Sequence, residues 1–323
     1  MSSINWQPSS ELEILKRRAQ LLADVRLFFA ERNVMEVQTP VLSQAAPTAT
    51  YLDSFSTDYA PTGQHYYLQT SPEFAMKRLL AAGSGDIYQI APVFRNGELG
   101  RLHSPEFTML EWYRPALDYL GLMDEVDALL QQLAGFPAAV KISYQQLYID
   151  TLQCDPLLAE TKTLQTLAFK HIPSLPDNWQ TDHDGWLELL MSEVIEPQLL
   201  NYHAPVIVFD FPASQAQLAN VHQNPNQQKV AARFEVYAGG LELANGYDEC
   251  LDPVELKQRF KRDNQLRSSQ NKTVMPIDER LLAAQEAGLP ACTGVAMGLD
   301  RLLMLISGKT QLSEVLSFGF EHS

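Results

Sequence analysis

The chain has 323 residues, 46% of them hydrophobic and 20% charged, a composition typical of globular proteins with a sizeable core. Its formal net charge of -15 argues against a broad nucleic-acid-binding surface, which needs clustered Lys and Arg. The three cysteines are scattered and odd in number, so we expect neither a disulfide framework nor a CxxC metal site. With no signal-peptide core and no apolar run of about 18–20 residues, we expect a cytoplasmic protein without a membrane span. No internal repeat or composition break marks a boundary, so one domain is expected over residues 1–323.

The first predicted element is an amphipathic helix. Ser10 followed by Glu13 predicts a capping box at its start, and the helix is expected to end near Asn33. Residues 34–37 then predict a short strand, which Pro40 stops. The apolar stripe of the helix is predicted at Leu15, Leu22, Val25 and Phe29.

A second helix is predicted after two strands at residues 52–55 and 66–69. Thr70 or Ser71 can cap this helix, and Pro72 suits its first position. Glu73 falls in the first turn, where the helix dipole stabilises a carboxylate. Glu73 therefore has a purely structural explanation, and recognition of a substrate amine is the functional alternative.

The most informative stretch predicts two strands, residues 90–94 and 107–113, joined by a polar loop. Because side chains alternate along a strand, one face of the second strand carries an aromatic ring, a carboxylate and a phenol together. Arg95 lies at the mouth of this hairpin. Such a surface could stack a flat base, pair with a phosphate and hold an ammonium group, or it could be a hairpin with a solvated loop. The residues on that face are Phe107, Met109, Glu111 and Tyr113.

A second hairpin is predicted around the glycine pair at residues 239–240. With these glycines in the turn, Tyr237 pairs with Glu242 and Glu235 pairs with Ala244. Glu235 and Glu242 then share a face as diagonal neighbours, with Cβ atoms about 7 Å apart. Two such carboxylates are tolerated on a wet surface or around a cation.

Beyond Glu242, strict alternation places the next polar side chains on the opposite face, unless a bulge at Gly246 re-aims them. Elsewhere we predict a helix at 120–133, helical stretches between 137 and 200, a strand at 205–209, a helix from Asp252 to about Leu266, and a strand feeding a helix over 294–305. The histidines follow no zinc-ligand spacing.

Five segments together resemble the class II aminoacyl-tRNA synthetases, specifically the lysyl type. FRN with HSPEFTMLEWY resembles motif 2, and GVAMGLDRLLML resembles motif 3. SPEFAMKRL and ELANGYDE resemble the segments that contact the amino acid in that family. The first helix and its Pro-ended strand resemble motif 1, which builds the family's dimer interface. The resemblance implies an α+β class II catalytic domain, an antiparallel β-sheet flanked by helices, which forms a homodimer.

The resemblance also implies site residues and the cofactors ATP and Mg²⁺. Arg95 and Arg301 would act catalytically on the phosphates, and Glu235 and Glu242 would hold Mg²⁺. The residues implied for ATP binding are Arg95, Asn96, Gly97, His103, Ser104, Phe107, Glu242, Leu243, Gly298 and Arg301. Those implied for binding a diamino acid are Ser71, Pro72, Glu73, Glu111, Tyr113, Asn245, Glu249 and Ala296.

Three positions depart from the family pattern. Gly97 stands where the family has Glu, Ser104 replaces Asn, and Ala296 stands where lysyl-tRNA synthetases have Gly. We hypothesise that the Ala296 methyl group reshapes the pocket floor for a β-amino acid.

The short segment before motif 1 indicates which molecule accepts the activated amino acid. Lysyl-tRNA synthetases carry an N-terminal anticodon-binding OB domain of roughly 100–150 residues, whereas motif 1 begins here almost at residue 1. Anticodon reading is therefore not expected. The arrangement is similar to truncated lysyl-synthetase paralogues that activate (R)-β-lysine and attach it to a lysine of translation elongation factor P. A ligase for a small-molecule amine and a catalytically inactive regulator are the alternatives.

Overall fold

The computed structural model describes residues 6–115 and 117–322 of the chain. The helices are α1 (Leu12–Ala30), α2 (Glu73–Ala81), α3 (Tyr119–Ala134), α4 (Tyr144–Leu152), α5 (Thr161–His171), α6 (His183–Leu190), α7 (Pro253–Ser269), α8 (Glu279–Gly288) and α9 (Leu299–Ile306). The strands are β1 (Met35–Glu36), β2 (Leu42–Ser43), β3 (Ser56–Tyr59), β4 (Gln64–Leu68), β5 (Ile87–Phe94), β6 (Glu106–Arg114), β7 (Val140–Ser143), β8 (Val206–Pro212), β9 (Val221–Gln223), β10 (Lys229–Ala238), β11 (Leu241–Asp248) and β12 (Thr293–Gly298). Residues 191–195 form a π-helical turn, which a 3₁₀ segment extends to residue 202.

The fold divides into two compact units. The first combines Met1–Asp118 with Cys250–Ser323, and the second is Tyr119–Glu249. This division into compact units does not test whether residues 1–323 fold as one domain, so the single domain stays a prediction.

The first unit is built on an antiparallel sheet. β5 pairs with β6 and β6 pairs with β12, both antiparallel, while the short β1 runs parallel to β5. Helix α1 covers this sheet through Phe29, whose ring stacks on Tyr88 at 4.4 Å between centroids and meets Trp112 edge-on at 5.4 Å. The predicted hairpin over residues 90–113 is confirmed, with both strands longer than expected.

The start of α1 corrects two predictions. Its N-cap is Glu11, which makes no side-chain capping bond, so the predicted capping box at Ser10 and Glu13 is wrong. Two members of the predicted stripe, Val25 and Phe29, are buried as expected, but Ile14 and Leu21 are buried in place of Leu15 and Leu22, which are only half-buried. The fully buried members of the stripe are Val25, Phe28 and Phe29.

A small sheet in the order β2-β4-β3 contains the predicted strand at residues 66–69. The strand predicted at residues 52–55 is wrong, because β3 begins only at Ser56. The carbonyl groups that precede β3 accept hydrogen bonds from the buried Arg267 instead. Its Nη1 donates to the oxygens of Ala49 at 2.9 Å and Leu52 at 3.3 Å.

The second unit contains the antiparallel strands β11, β10 and β8, with β9 also paired to β10 and with β7 parallel to β8. Helices α4, α5 and α6 supply one face of its core. Buried side chains such as Tyr148 on α4, Leu164 on α5 and Trp186 on α6 join Val206 and Val208 of β8 in one cluster. The predicted helix at 120–133 and strand at 205–209 are both confirmed as α3 and β8.

The predicted helix that begins at Asp252 and the predicted strand-to-helix segment over residues 294–305 are confirmed. The Asp252 side chain caps α7 by accepting from the amides of Val254 and Glu255, and β12 feeds directly into α9. Cys154, Cys250 and Cys292 are free thiols, all buried. In the described residues, no helix combines the length and apolarity needed to cross a membrane.

Candidate active site

Arg95 leaves the end of β5 beside an aromatic ring. Its amide donates to the Pro105 carbonyl at 2.8 Å, which closes the loop between β5 and β6. Its guanidinium carbon lies 5.1 Å from the centroid of Phe107, within the range of a cation–π contact. Its Nη1 lies 3.8 Å from Glu98 Oε2, and its buried Nε has no hydrogen-bond partner in the described residues. A buried N–H without an acceptor, beside the half-buried ring of Phe107, fits an incoming phosphate and a stacked base.

The loop that follows Arg95 is held by backbone hydrogen bonds. The amide of Asn96 donates to the Asp53 carbonyl at 2.8 Å. Gly97 has φ +86°, in the left-handed region that favours glycine, so a Glu at this position would be strained. Gly100 and His103 exchange backbone hydrogen bonds at 3.1 and 3.3 Å, which folds the loop tip into a turn. Ser104, which follows, is buried.

Arg301 reaches this loop from α9, whose N-cap is Gly298. Its Nη2 lies 2.8 Å from His103 Nε2, and its Nε donates to the Leu102 carbonyl at 3.3 Å. Burial, and then the charge of Arg301, lower the pKa of His103, so the ring is neutral at pH 7 and can accept from the guanidinium. In the first unit, Arg301 therefore contacts His103 and Arg95 lies over the ring of Phe107, both at the loop between β5 and β6.

A network that the sequence reasoning missed joins the three motif segments. The buried Asp300 on α9 accepts from the Thr108 amide of β6 at 2.7 Å and pairs with Arg18 of α1. Arg18 also donates to the Thr108 hydroxyl. Arg18 carries no apolar signal and falls outside the predicted stripe, so only its position opposite Asp300 in space could have revealed it.

The predicted amine-binding carboxylates lie at the start of α2 and in the middle of β6. Glu111 is 2% exposed, and it accepts from the Ser71 hydroxyl at 2.6 Å and from the Tyr113 hydroxyl at 2.7 Å. Ser71 Oγ in turn accepts from the Glu73 amide at 3.0 Å, so Ser71 helps to cap α2 although Pro72 holds the N-cap position. Burial, and then the carboxylate of Glu73, raise the pKa of Glu111 to about 7. A bound ammonium would therefore stabilise the ionised form of Glu111.

Two further side chains complete this group. Lys77, which sequence reasoning missed, is 1% exposed and donates to Glu73 Oε1 at 2.6 Å, one helical turn along α2. Its i,i+4 spacing from Glu73 was the signal that could have found it. Ala296 of β12 pairs in register with Glu111 of β6, so its methyl group lies on the same face as that carboxylate.

In the second unit, the predicted hairpin around the glycine pair is confirmed, but only one of its two predicted residue pairs is correct. Gly239 and Gly240 form the turn with φ +57° and +76°, and Tyr237 pairs with Glu242 as predicted. The next predicted pair is wrong, because Glu235 lies opposite Asn245. The register shifts between Val236 and Tyr237, and Val236 pairs with Ala244, which leaves Leu243 as the extra residue of a β-bulge.

This bulge decides which side chains share a face. Glu242 lies opposite Tyr237 and Asn245 lies opposite Glu235, and Tyr237 and Glu235 share a face of β10. Glu242 and Asn245 therefore share a face of the hairpin, although strict alternation along β11 would place them on opposite faces. The bulge predicted at Gly246 is wrong. Gly246 pairs in register with Phe234, and a Cβ at this position would lie 2.3 Å from Phe234 Cζ. Glycine is therefore required here by a ring that covers the backbone.

The Glu235 carboxylate is engaged on both oxygens. Arg233 donates to Oε1 and the Tyr237 hydroxyl donates to Oε2. Burial, and then the carboxylates of Glu235 and Glu242, raise the pKa of Tyr237 well above its usual range, so the phenol stays protonated and donates. At the end of β11, Glu249 is 2% exposed, and its backbone bridges to Ala219.

The chemistry of these oxygens fits magnesium. Mg²⁺ is bound by one or two carboxylates together with substrate oxygens and water rather than by a complete protein cage. Glu235 and Glu242 supply such a pair, and the described residues contain no group of three or more His, Cys, Asp or Glu side chains that would make a closed cage. The assignment of individual side chains to ATP, metal or amino acid stays a prediction.

A family model described as tRNA synthetases class II (D, K and N) matches residues 3–322. The chain belongs to this family of class II synthetases. Motifs 1, 2 and 3 of the class II pattern correspond here to α1 with β1, to β5 with β6, and to β12 with α9. The α+β fold with a mainly antiparallel sheet, predicted from these motifs, is confirmed.

Curated relatives of this class II chain match it along its whole length. A Photorhabdus laumondii protein named elongation factor P–(R)-β-lysine ligase is 48% identical over 319 residues, 98% of this chain and 97% of that protein. Proteins of the same name from Haemophilus influenzae and Vibrio cholerae are 47% and 48% identical, over 100% and 99% of both chains.

Proposed function

We propose that this protein is an ATP-dependent ligase that activates (R)-β-lysine and transfers it to a lysine of translation elongation factor P. The name shared by the full-length relatives supports this substrate and acceptor. One structural observation carries the chemistry. Glu111 is a carboxylate buried among donors, with a pKa of about 7 and an arrangement that a substrate ammonium would complete.

The first step joins the amino acid to AMP. The carboxylate of β-lysine attacks the α-phosphorus of ATP, and pyrophosphate leaves. The substrate carboxylate is itself the nucleophile, so no side-chain nucleophile is needed, and catalysis is positioning and stabilisation of developing charge. Arg95 binds the α-phosphate and the substrate carboxylate, Arg301 binds the terminal phosphate, and Phe107 stacks on the adenine.

The metal supports the same step. Mg²⁺ held by Glu235 and Glu242 would neutralise the charge of the β- and γ-phosphates. Asn96, His103 and Ser104 would line the nucleotide site beside Arg95, and Leu243 and Gly298 are further residues that would bind ATP. In the amino-acid site, Ser71 and Tyr113 orient Glu111, while Glu73, Asn245 and Glu249 contact the substrate.

The second step forms an amide. The ε-amine of an acceptor lysine attacks the carbonyl carbon of the aminoacyl-adenylate, the bond to phosphate breaks, AMP leaves, and the amine releases a proton. An ammonium cannot attack, so the acceptor reacts in its neutral form. We also propose that the protein acts as a homodimer in the cytoplasm.

The decisive experiment is intact-mass analysis of elongation factor P after incubation with the protein, ATP, Mg²⁺ and either lysine isomer. The expected result is a gain of one lysine residue, faster with (R)-β-lysine than with α-lysine. Arg95→Ala should abolish the gain, and pyrophosphate exchange with a panel of amino acids should give (R)-β-lysine as the best substrate. Exchange without a modified acceptor would point to a small-molecule ligase. Absence of exchange with every amino acid would point to an inactive regulator.

A further inference from the structure

Arg233 on β10 is a buried arginine that has no role in the mechanism proposed above. Its guanidinium donates from three different nitrogens to three different partners. Nη2 contacts Glu235 Oε1, Nε lies 3.4 Å from Asn245 Oδ1, and Nη1 lies 3.2 Å from the Gln215 carbonyl. Two of these partners are the carboxylate assigned to Mg²⁺ and the amide assigned to the amino acid.

The surroundings of Arg233 fix the plane of its guanidinium. The ring of Phe211 lies against it, with 4.4 Å between the guanidinium carbon and the ring centroid. The Arg233 side chain is only 10% exposed, so its guanidinium is held among protein atoms rather than in solvent. A planar guanidinium that stacks on a ring presents its N–H groups in fixed directions, whereas a lysine ammonium is a point charge that cannot serve three separated acceptors.

The β-bulge at Leu243 is what makes the double contact possible. It places Asn245 directly opposite Glu235, so both side chains stand beside Arg233 on one face of the hairpin. Without the bulge, Asn245 would point to the other face and Arg233 could reach only Glu235.

We propose that Arg233 is a positioning residue that holds the metal-binding Glu235 and the substrate-binding Asn245 in a fixed relation, and so links Mg²⁺ binding to amino-acid binding. The proposal rests on the proposed function, because it assigns those roles to Glu235 and Asn245. Two consequences distinguish it from a purely structural ion pair. Arg233 competes with the metal for Glu235, and it orients the Asn245 amide for the amino acid.

The test compares Arg233→Lys, Arg233→Met and Asn245→Ala in the full chain. In pyrophosphate exchange, both Arg233 variants should raise the KM for (R)-β-lysine by about tenfold, the worth of one hydrogen bond to a charged group. In a Mn²⁺ titration followed by electron paramagnetic resonance without ATP, Arg233→Met should bind Mn²⁺ about threefold more tightly, since a competing positive charge is gone. Arg233→Lys keeps that charge and should bind Mn²⁺ like the wild type.

A double-mutant cycle tests the link to Asn245. Because Arg233 acts on the amino acid through Asn245, Arg233→Lys with Asn245→Ala should have the same KM as Asn245→Ala alone. Arg262→Lys, an exposed arginine of α7 paired with Glu255, is the matched control and should leave both readouts unchanged.

The proposal is overturned by a KM within about twofold of wild type in Arg233→Lys, or by KM effects that multiply in the double variant. Weaker Mn²⁺ binding in Arg233→Met would overturn it as well. If Arg233→Met does not fold, the lysine and alanine variants decide the question. A wild-type protein without exchange activity would refute the proposed function, and the Mn²⁺ titration would still report on the competition between Arg233 and the metal.

Discussion

Replacing Gly246 with alanine tests the placement of the polar hairpin most directly. Glycine is needed at position 246 because the ring of Phe234 covers the backbone there, and not because the backbone adopts a left-handed conformation. The added methyl carbon would lie 2.3 Å from Phe234 Cζ, 2.5 Å from Cε1 and 3.0 Å from Cε2. Carbon atoms in contact rest at about 3.5–4.0 Å, so three atoms of one ring would have to move.

The ring has nowhere to move without disturbing its neighbours. Phe234 is 0% exposed, and Tyr119 lies against it at 5.8 Å between centroids. Overpacking a well-filled core costs about 1–3 kcal/mol, and the short contacts put Gly246→Ala at the upper end, about 3 kcal/mol. In a chain of this length each kcal/mol lowers the melting temperature by about 2 °C, so a fall of about 6 °C is expected.

Thermal denaturation and urea unfolding of Gly246→Ala, Phe234→Leu and the double variant measure this effect. Phe234→Leu removes the ring edge, so the double variant should be less destabilised than the sum of the single changes. Because Asn245 precedes Gly246, the alanine variant should also raise the KM for the amino acid. A Gly246→Ala protein as stable as wild type, or strictly additive losses, would refute the packing argument.

Three further changes probe the amine-binding group. Because the pKa of Glu111 is raised to about 7 from an ordinary value of 4.5, the unfolded chain loses this proton first, so stability should fall as pH rises from about 4.5 to about 7. Thermal denaturation across that range should show a shallower slope for Glu111→Gln. Lys77→Met leaves the Glu73 carboxylate without its ammonium and should cost about 3 kcal/mol in urea unfolding, while Lys77→Arg should cost less. Ala296→Gly should raise activation of α-lysine relative to (R)-β-lysine in pyrophosphate exchange, and an unchanged ratio would reject the pocket-floor hypothesis.

Local patterns were enough to predict the elements that carry the site. The β5–β6 hairpin followed from alternation and turn residues within a single stretch of chain, and the glycine pair at residues 239–240 predicted the turn of the second hairpin. The carboxylate and phenol of Glu111 and Tyr113 share a face as predicted, since period two fixes this without any tertiary information.

The predictions failed where contacts between residues distant in the sequence determine the local structure. A bulge of one residue at Leu243 reverses the face of every later side chain on β11, and nothing in the local sequence distinguishes it from a bulge at Gly246. Arg18 meets Asp300 across 282 positions of sequence, a contact that no short-range pattern contains. The strand expected at 52–55 is not formed, and its backbone is held by distant partners instead: the Leu52 carbonyl accepts from Arg267 and the Asp53 carbonyl accepts from the Asn96 amide.

The two hairpins hold their carboxylates in the same way. Glu111 accepts from Tyr113 two residues later, and Glu235 accepts from Arg233 two residues before and Tyr237 two residues after. A spacing of two is the one that places neighbours on one face of a strand, so each carboxylate is oriented by side chains of its own strand before any ligand binds. In the proposed mechanism the substrate carboxylate is the nucleophile, so side chains that are oriented before binding would accelerate adenylate formation through position and charge. It follows that variants of the flanking donors should impair catalysis even though they leave the carboxylates in place.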